Sequence, residues 1–260
     1  MSLQTGKSTT RLDPQRYFEL LDADTERLLA AAARDLGASV APCPGWTVAD
    51  VVDHVASVYE HKIRVMAENA WPSPWPPETV DARPALHRLA DAKAGLFAEF
   101  ANHQLDETTT TFSAADSTIG FWLRRMALEV AVHRYDAEVA VAVPTPVPTP
   151  VPDDLALDGI DEILEVMLGG PWWADRVSTR HPVDAIIAVA SAGHRWSCDV
   201  RERSVTISAQ SAAVAAAGIE GDPMQVFLWL WGRAADDGVS LEGDRALIAE
   251  FRARLAECTG

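Results

Sequence analysis

A proline-rich segment divides this sequence. Residues 143–153 read VPTPVPTPVPD, in which prolines recur at short intervals. Proline removes backbone hydrogen-bond donors and favours extended polyproline II structure, so the run predicts a semi-rigid linker rather than an ordinary surface loop. At 260 residues the chain is also long enough for two domains of ordinary size. We therefore predict domains over residues 13–142 and 154–260, joined by the linker 143–153.

The part before the linker has the periodic apolar pattern of helices. The predicted helices cover residues 13–36, 47–69, 82–103 and 117–141. Thr47 fits the N-cap of the second helix, and Asp50 is a weaker form of its capping-box partner. Four long helices joined by loops predict an antiparallel four-helix bundle.

The part after the linker alternates helices with short strands. A helix is predicted over residues 153–168, and Asp222-Pro223 starts another, MQVFLWLWGRA. The segments that read as strands are PVDAIIAVAS, RWSCDV, RSVTIS, SAAVAAAGIEG and VSLEG, and the closing helix is DRALIAEFRARLAEC. The predicted fold class is therefore α+β: an N-terminal four-helix bundle followed by a small α+β domain.

The charge and composition exclude several classes of function. A formal net charge of −16 repels phosphate backbones and anionic membranes, which argues against nucleic-acid and membrane partners. The same excess favours solubility, which is a sufficient reason for it. No apolar run is long enough for a transmembrane helix, and the first residues lack a secretory signal. Three widely spaced cysteines predict neither a disulfide framework nor a thiolate metal site, so we expect a cytoplasmic protein.

The fourth predicted helix carries an acidic and an imidazole side chain in an apolar stretch. Glu129 and His133, in EVAVH, are four residues apart and therefore lie on one helix face. That face also carries apolar side chains, so it should point into the bundle. A carboxylate buried there needs compensation. A basic side chain such as Arg125 or Arg134, a proton shared with His133, or a metal ion would each provide it.

The second predicted helix brings another histidine to the interior. His54 lies among the valines that define the inward face of TVADVVDHVASV. A lone inward histidine is more often a hydrogen-bonded core residue than a ligand. Together with Glu129 and His133, however, it completes a His₂Glu set that leaves an open position on catalytic zinc. His61, seven residues later, is the substitute ligand; its other interpretation is a partly exposed residue near the bundle end.

Three segments are similar to a known family. PCPGWTVADVVDHVASV at 42–58 and RRMALEVAVHRYDAE at 124–138 resemble the N-terminal domain of mycothiol-dependent maleylpyruvate isomerases, a branch of the DinB-like metal-binding four-helix bundles. FLWLWGRAADDGVSLEGD at 227–244 resembles the C-terminal domain of the same family. The likeness runs in order from about residue 13 to residue 256.

The resemblance implies a metal site and a thiol cofactor. The ligands would be His54, Glu129 and His133, the metal zinc or another divalent ion, and the thiol cosubstrate mycothiol. Arg233, in LWGR, matches an arginine that the family's C-terminal domain contributes to catalysis. Its other interpretation is a cation at a helix C-terminus. One departure is Leu128, where the family often has histidine; this should spare the metal and alter the pocket wall.

The resemblance also implies a reaction class. Zinc would activate the thiol for isomerisation of, or S-transfer to, a small electrophilic substrate. The alternatives are a zinc hydrolase and a non-catalytic metal-binding or regulatory module of the same fold. Most family members share the bundle without demonstrated maleylpyruvate chemistry, so the substrate does not transfer from the resemblance. The sequence fixes no oligomeric state.

Overall fold

The computed structural model describes residues 10–74, 83–142, 147–170, 183–202, 204–209 and 214–259. Contacts between residues divide the chain into two compact units, one spanning Asp13–Thr149 and the other containing Pro150–Gly260. Residues 143–146 of the predicted linker lie outside the described residues, so the linker stays a prediction.

The first unit is the predicted four-helix bundle. Its helices are α1 (Pro14–Ala32), α2 (Val48–Glu68), α3 (Ala85–Ala101) and α4 (Ile119–Ala140). The most extensive helix contacts join α1 to α4 and α2 to α3, and α2 also contacts α4. None of these helices, nor any other helix in the described parts, is long and apolar enough to cross a membrane.

Local signals in the sequence set where these helices begin and end. Thr47 and Asp50 form the predicted capping box, since each side chain accepts a hydrogen bond from the other residue's backbone N–H. This box fixes the start of the helix that carries His54. The first helix ends four residues before its predicted end, because the Asp35 side chain accepts a hydrogen bond from the Gly37 N–H (2.9 Å) and stabilises a turn there.

The fourth helix is the most deeply buried of the bundle. Between Ile119 and Ala137 nearly every residue is buried, including Arg125, His133 and Asp136. Buried charges of this kind need partners. Arg134, which is fully buried, lies 3.3 Å from Asp24 of α1 and 3.0 Å from Glu138 of its own helix, so one ion pair joins the two helices and a second lies within α4.

The second unit is a small sheet with helices, as predicted. Helix α5 (Asp153–Glu162) continues into a π-helical turn, Ile163–Leu168. The remaining elements are β1 (Ala185–Ser191), β2 (His194–Val200), β3 (Val205–Ser208), β4 (Ala217–Glu220), α6 (Pro223–Leu230), β5 (Ser240–Gly243) and α7 (Arg245–Thr259). The sheet order is β3-β2-β1-β4-β5, in which only the β1–β4 pair is parallel among the described strands.

Strand β4 and helix α6 are shorter than predicted. The strand predicted over residues 211–221 covers only Ala217–Glu220, and residues 211–213 lie outside the described part of the chain. Helix α6 starts at Pro223 as predicted but stops at Leu230, because Gly232 adopts a left-handed backbone conformation with φ of 74°. Arg233 therefore follows the helix instead of lying within it.

Candidate metal centre

The three predicted ligands come together between two helices of the bundle. Helix α2 supplies His54, and α4 supplies Glu129 and His133 one turn apart. One donor atom from each residue lies within 4.8 Å of the others. His54 Nε2 is 2.9 Å from Glu129 Oε1, and His133 Nε2 is 3.4 Å from the same oxygen. The structure thus places all three predicted side chains around a common point.

This donor set fits a divalent metal ion. Two imidazole nitrogens and one carboxylate oxygen are ligands that zinc accepts, with a fourth position left for a water or substrate. In a tetrahedral zinc site with bonds of about 2.0–2.2 Å, ligand atoms lie about 3.3–3.6 Å apart. The two distances from Glu129 Oε1, 2.9 and 3.4 Å, differ little from these values, and the donor atoms of the two histidines lie within 4.8 Å of each other.

The two oxygens of Glu129 have different partners. Oε1 faces both imidazoles, whereas Oε2 accepts a hydrogen bond from the guanidinium of Arg125, one turn earlier on α4. Burial alone would raise the pKa of Glu129, but the charge of Arg125 and hydrogen bonds with His133 and His54 outweigh it and hold that pKa well below its usual range. Glu129 is therefore an anion whose Oε1 alone is directed at the candidate site.

An acidic residue lies behind His133. Asp136 Oδ2 is 3.3 Å from His133 Nδ1, close enough for an ion pair but without the alignment of a good hydrogen bond. Burial by itself would lower the pKa of His133, but interactions with Asp136 and Glu129 raise it to about 9. A carboxylate at Nδ1 favours the tautomer whose Nε2 is free to bind a metal.

A tryptophan covers the two imidazoles. The Trp46 ring centroid lies 5.2 Å from that of His54 and 6.4 Å from that of His133, where the rings stack. Trp46 precedes the Thr47 cap, so the capping box that starts α2 also places this ring. The side chain of His54 keeps 35% of its accessible surface, so the site remains reachable from solvent.

The substitute ligand lies elsewhere. His61 is buried, and it is not one of the three residues whose donor atoms converge, which are His54, Glu129 and His133. Its Nδ1 is 2.8 Å from Lys62 Nζ, and its ring stacks on Trp71 at 5.9 Å. The expectation that His61 is partly exposed is therefore wrong, because the Trp71 ring covers it. Burial and the charge of Lys62 lower its pKa to about 4, so it is neutral and accepts the ammonium hydrogen bond.

Arg233 lies in the second unit, just beyond α6. Its Nη1 donates a hydrogen bond to the Trp231 carbonyl (2.7 Å), and its guanidinium lies over the Trp231 ring at 6.0 Å. The hydrogen bond satisfies a carbonyl at the C-terminal end of α6, which agrees with the interpretation of Arg233 as a cation at a helix C-terminus. A catalytic role for Arg233 stays a prediction.

Sequence reasoning did not identify Asp136 or Trp46 as neighbours of the site. Asp136 had a local signal, since a carboxylate three residues after a histidine lies beside it on a helix. The contact of Trp46 with His133 depends on how α2 packs against α4, and no local pattern encodes that.

Comparison with known proteins identifies the family. The profile described as the mycothiol maleylpyruvate isomerase N-terminal domain matches residues 18–138, and that of the MDMPI C-terminal domain matches residues 154–250. The chain belongs to the mycothiol-dependent maleylpyruvate isomerase family. All three candidate ligands lie within the N-terminal match, and Arg233 lies within the C-terminal one.

Solved structures agree with the family's fold. The crystal structure of a mycothiol-dependent maleylpyruvate isomerase is 14% identical, covers 89% of this chain and 93% of its own, and has a TM-score of 0.54. A histidine-to-alanine mutant of a mycothiol-dependent maleylpyruvate isomerase gives the same values. At this identity the likeness concerns the fold alone. No curated protein sequence matches the chain.

Proposed function

We propose that this chain is a metal- and thiol-dependent enzyme that acts on a small electrophilic substrate. His54, Glu129 and His133 hold zinc or another divalent cation, and the thiol cosubstrate is mycothiol, the thiol named in the family's description. The observation that carries the proposal is the convergence of three donor atoms from two helices within 4.8 Å of one another.

The arrangement suits a catalytic metal better than a structural one. Structural zinc sites are closed by four protein ligands, whereas catalytic sites keep a position open. Here three side chains supply donors, and one of them, His54, is partly exposed. When bound, a divalent ion at such a site holds a thiol as its thiolate at neutral pH.

The remaining residues position the ligands. Arg125 fixes the Glu129 carboxylate through Oε2 and leaves Oε1 for the metal. Asp136 orients His133 from behind, and the Trp46 ring packs against both imidazoles. The thiol and substrate therefore meet ligands whose orientation is already set, which reduces the rearrangement that the reaction requires.

For a substrate with a double bond conjugated to a carbonyl, isomerisation and S-transfer would share their first step. A metal held by His54, Glu129 and His133 would supply the thiol as its thiolate, whose sulfur would bond to one carbon of that double bond while the displaced electron pair moved to the carbonyl oxygen. Rotation about the new single bond followed by cleavage of the carbon–sulfur bond gives the trans product and regenerates the thiol. Protonation and release of the adduct gives S-transfer instead. Arg233 is proposed to bind a substrate carboxylate and stabilise the enolate.

A second candidate has its own supporting observation. Arg125 pairs with Oε2 of Glu129, as expected for a bundle that buries this carboxylate for structural reasons only. A purely structural role for this ion pair, in a module that binds no metal, therefore predicts that chelators leave the protein unchanged. A hydrolase, in which the metal activates water, predicts turnover without a thiol.

Metal analysis and a thiol-dependence assay separate these candidates. We expect stoichiometric zinc in the purified protein and its loss in His54→Ala. Turnover of maleylpyruvate is followed by the absorbance of its double bond, once with mycothiol and once without it. Absence of zinc supports the non-catalytic module, and turnover without thiol supports the hydrolase. Turnover of an epoxide or haloarene with no isomerisation removes the isomerase and leaves S-transfer.

A further inference from the structure

A lysine with an unusual environment follows the metal ligand on α2. Lys62 comes eight residues after His54, and its Nζ lies 4.4 Å from the centre of the Trp122 ring and 5.6 Å from that of Trp71. Its hydrogen-bond partner is Nδ1 of His61 at 2.8 Å. The ammonium is thus held by two aromatic faces and a neutral imidazole.

The geometry of the two helices directs this side chain toward the metal centre. His54 bonds to Glu129, whereas Lys62, further along α2, contacts Trp122, which precedes Glu129 on α4. The helices therefore run antiparallel here. Side chains on a helix lean toward its N-terminus, so Lys62 leans toward the end that carries His54. The charges of both residues beside the metal centre act on Lys62: Glu129 raises its pKa and Arg125 lowers it. These effects agree with an ammonium that lies near the metal centre.

Among the described residues, no carboxylate holds the ammonium of Lys62. In the described parts of the chain its polar contact is with His61, and no ion pair includes it. Lys93 shows the usual arrangement, with Asp22 at 2.6 Å and Glu26 at 2.5 Å from its Nζ. Burial lowers the pKa of Lys62 to about 8, because little in its surroundings offsets the desolvation.

The charge balance of the site changes when a metal enters. Lys62 and Arg125 together offset the two carboxylates Glu129 and Asp136, with both imidazoles neutral as metal ligands require. A divalent ion would then leave two uncompensated positive charges in this set of side chains. A thiolate on the metal offsets one of them. The other calls for a second anionic group within reach of Lys62.

We propose that Lys62 is a substrate-binding residue whose ammonium, held over Trp122 and Trp71, binds a carboxylate of the substrate beside the metal centre. The inference rests on the proposed function and adds to it a residue of the N-terminal unit that binds the substrate. The tryptophan faces suit this role, since they hold the cation by the ring quadrupole without neutralising it.

Binding of a carboxylate probe tests the inference without turnover. Maleate, a small cis-dicarboxylate, is titrated into zinc-loaded protein by calorimetry, with its uncharged diamide as the comparison ligand. We expect wild-type protein to bind maleate and not the diamide. Lys62→Met should weaken maleate binding by about tenfold or more, since a hydrogen bond between charged groups is lost, and Lys62→Arg should restore most of it.

Controls separate binding from a structural role. Lys93→Met removes an ammonium from the same unit and should leave maleate affinity unchanged. Zinc affinity should not fall in Lys62→Met, since the lost charge was positive; a merely structural lysine would weaken zinc and maleate binding together. If Lys62→Met does not fold, maleate protection of Lys62 against acylation in wild-type protein replaces it, with protection expected.

The outcomes distinguish this inference from the proposed function. Wild-type affinity for maleate in Lys62→Met, or acylation of Lys62 that maleate does not slow, overturns the inference. Zinc binding without maleate binding also overturns it and leaves the proposed function standing. Maleate binding that depends on Lys62 in a protein that takes up no zinc supports the inference and removes the proposed function.

Discussion

Removal of Arg125 should make the stability of the bundle depend on metal. Arg125 is buried and compensates Glu129, which is itself nearly buried. In Arg125→Met the guanidinium is lost while an apolar stem of similar length remains. Without metal, Glu129 then keeps only its two imidazole contacts, and we expect the free energy of unfolding to fall by about 3 kcal/mol, the lower end of the cost of breaking a buried ion pair.

Zinc should restore part of this loss. A divalent ion on Oε1 offsets the Glu129 charge that Arg125 no longer offsets, so the variant gains more from zinc than wild type does. If zinc binds the variant about tenfold more tightly, the additional stabilisation at saturating zinc is about 1.4 kcal/mol, roughly half of the loss. At about 3 °C per kcal/mol, the zinc-induced rise in Tm should be about 4 °C larger in Arg125→Met than in wild type.

Thermal unfolding with EDTA and with excess zinc measures the effect. The matched control is Arg88→Met, which removes another largely buried arginine, one that pairs with Glu60 at 2.6 Å, outside the candidate site. Arg88→Met should be destabilised to the same extent with and without zinc. An equal zinc-induced shift in wild type and Arg125→Met, or a comparable zinc rescue of Arg88→Met, would refute the reasoning.

Three further predictions concern the ligands and a surface histidine. His54→Ala should lose stoichiometric zinc in elemental analysis yet remain folded by circular dichroism, because its side chain is 35% exposed. Asp136→Asn should weaken zinc binding by about 10–100-fold in a competition titration with a chromophoric chelator, since Asp136 orients His133. Hydrogen bonds to Glu99 and Glu107 raise the pKa of His103 above 6.5, so its stabilising effect is complete below that pH and lost as pH rises through the raised value. In denaturant unfolding, His103→Gln should therefore cost about 0.5–1 kcal/mol at pH 6 and little at pH 9.

The parts of the fold that local chemistry determines were predictable from the sequence. The start of α2 follows from Thr47 and Asp50, whose side chains cap each other's backbone over three residues. The convergence of His54 with the pair on α4 was also predictable in outline, because the valine stripe of α2 identifies its inward face. The early end of α1 was missed, since the competing turn at Asp35 uses a short hydrogen bond that the helical pattern conceals.

The apolar periodicity of α4 does not identify which of its residues face the metal site. Since α4 is buried on nearly every side, facing inward does not distinguish Glu129 from its neighbours. What distinguishes Glu129 is its partner on the facing helix, His54, and that contact depends on the register of α2 against α4. The same register brings Lys62 over Trp122, so neither contact follows from either helix alone.

The charge of Glu129 is compensated in two ways at once, by the guanidinium of Arg125 and by its contacts with the two imidazoles. The third compensation, a metal ion, remains available. Arg125 holds Oε2 while His54 and His133 share Oε1, so a metal ion would replace protons on the imidazoles without displacing the arginine. The bundle therefore keeps its buried carboxylate compensated before any metal binds. We therefore expect the site to fold without metal and to leave one coordination position open for chemistry. Arg125→Met removes that independence, which is why its response to zinc tests the whole arrangement.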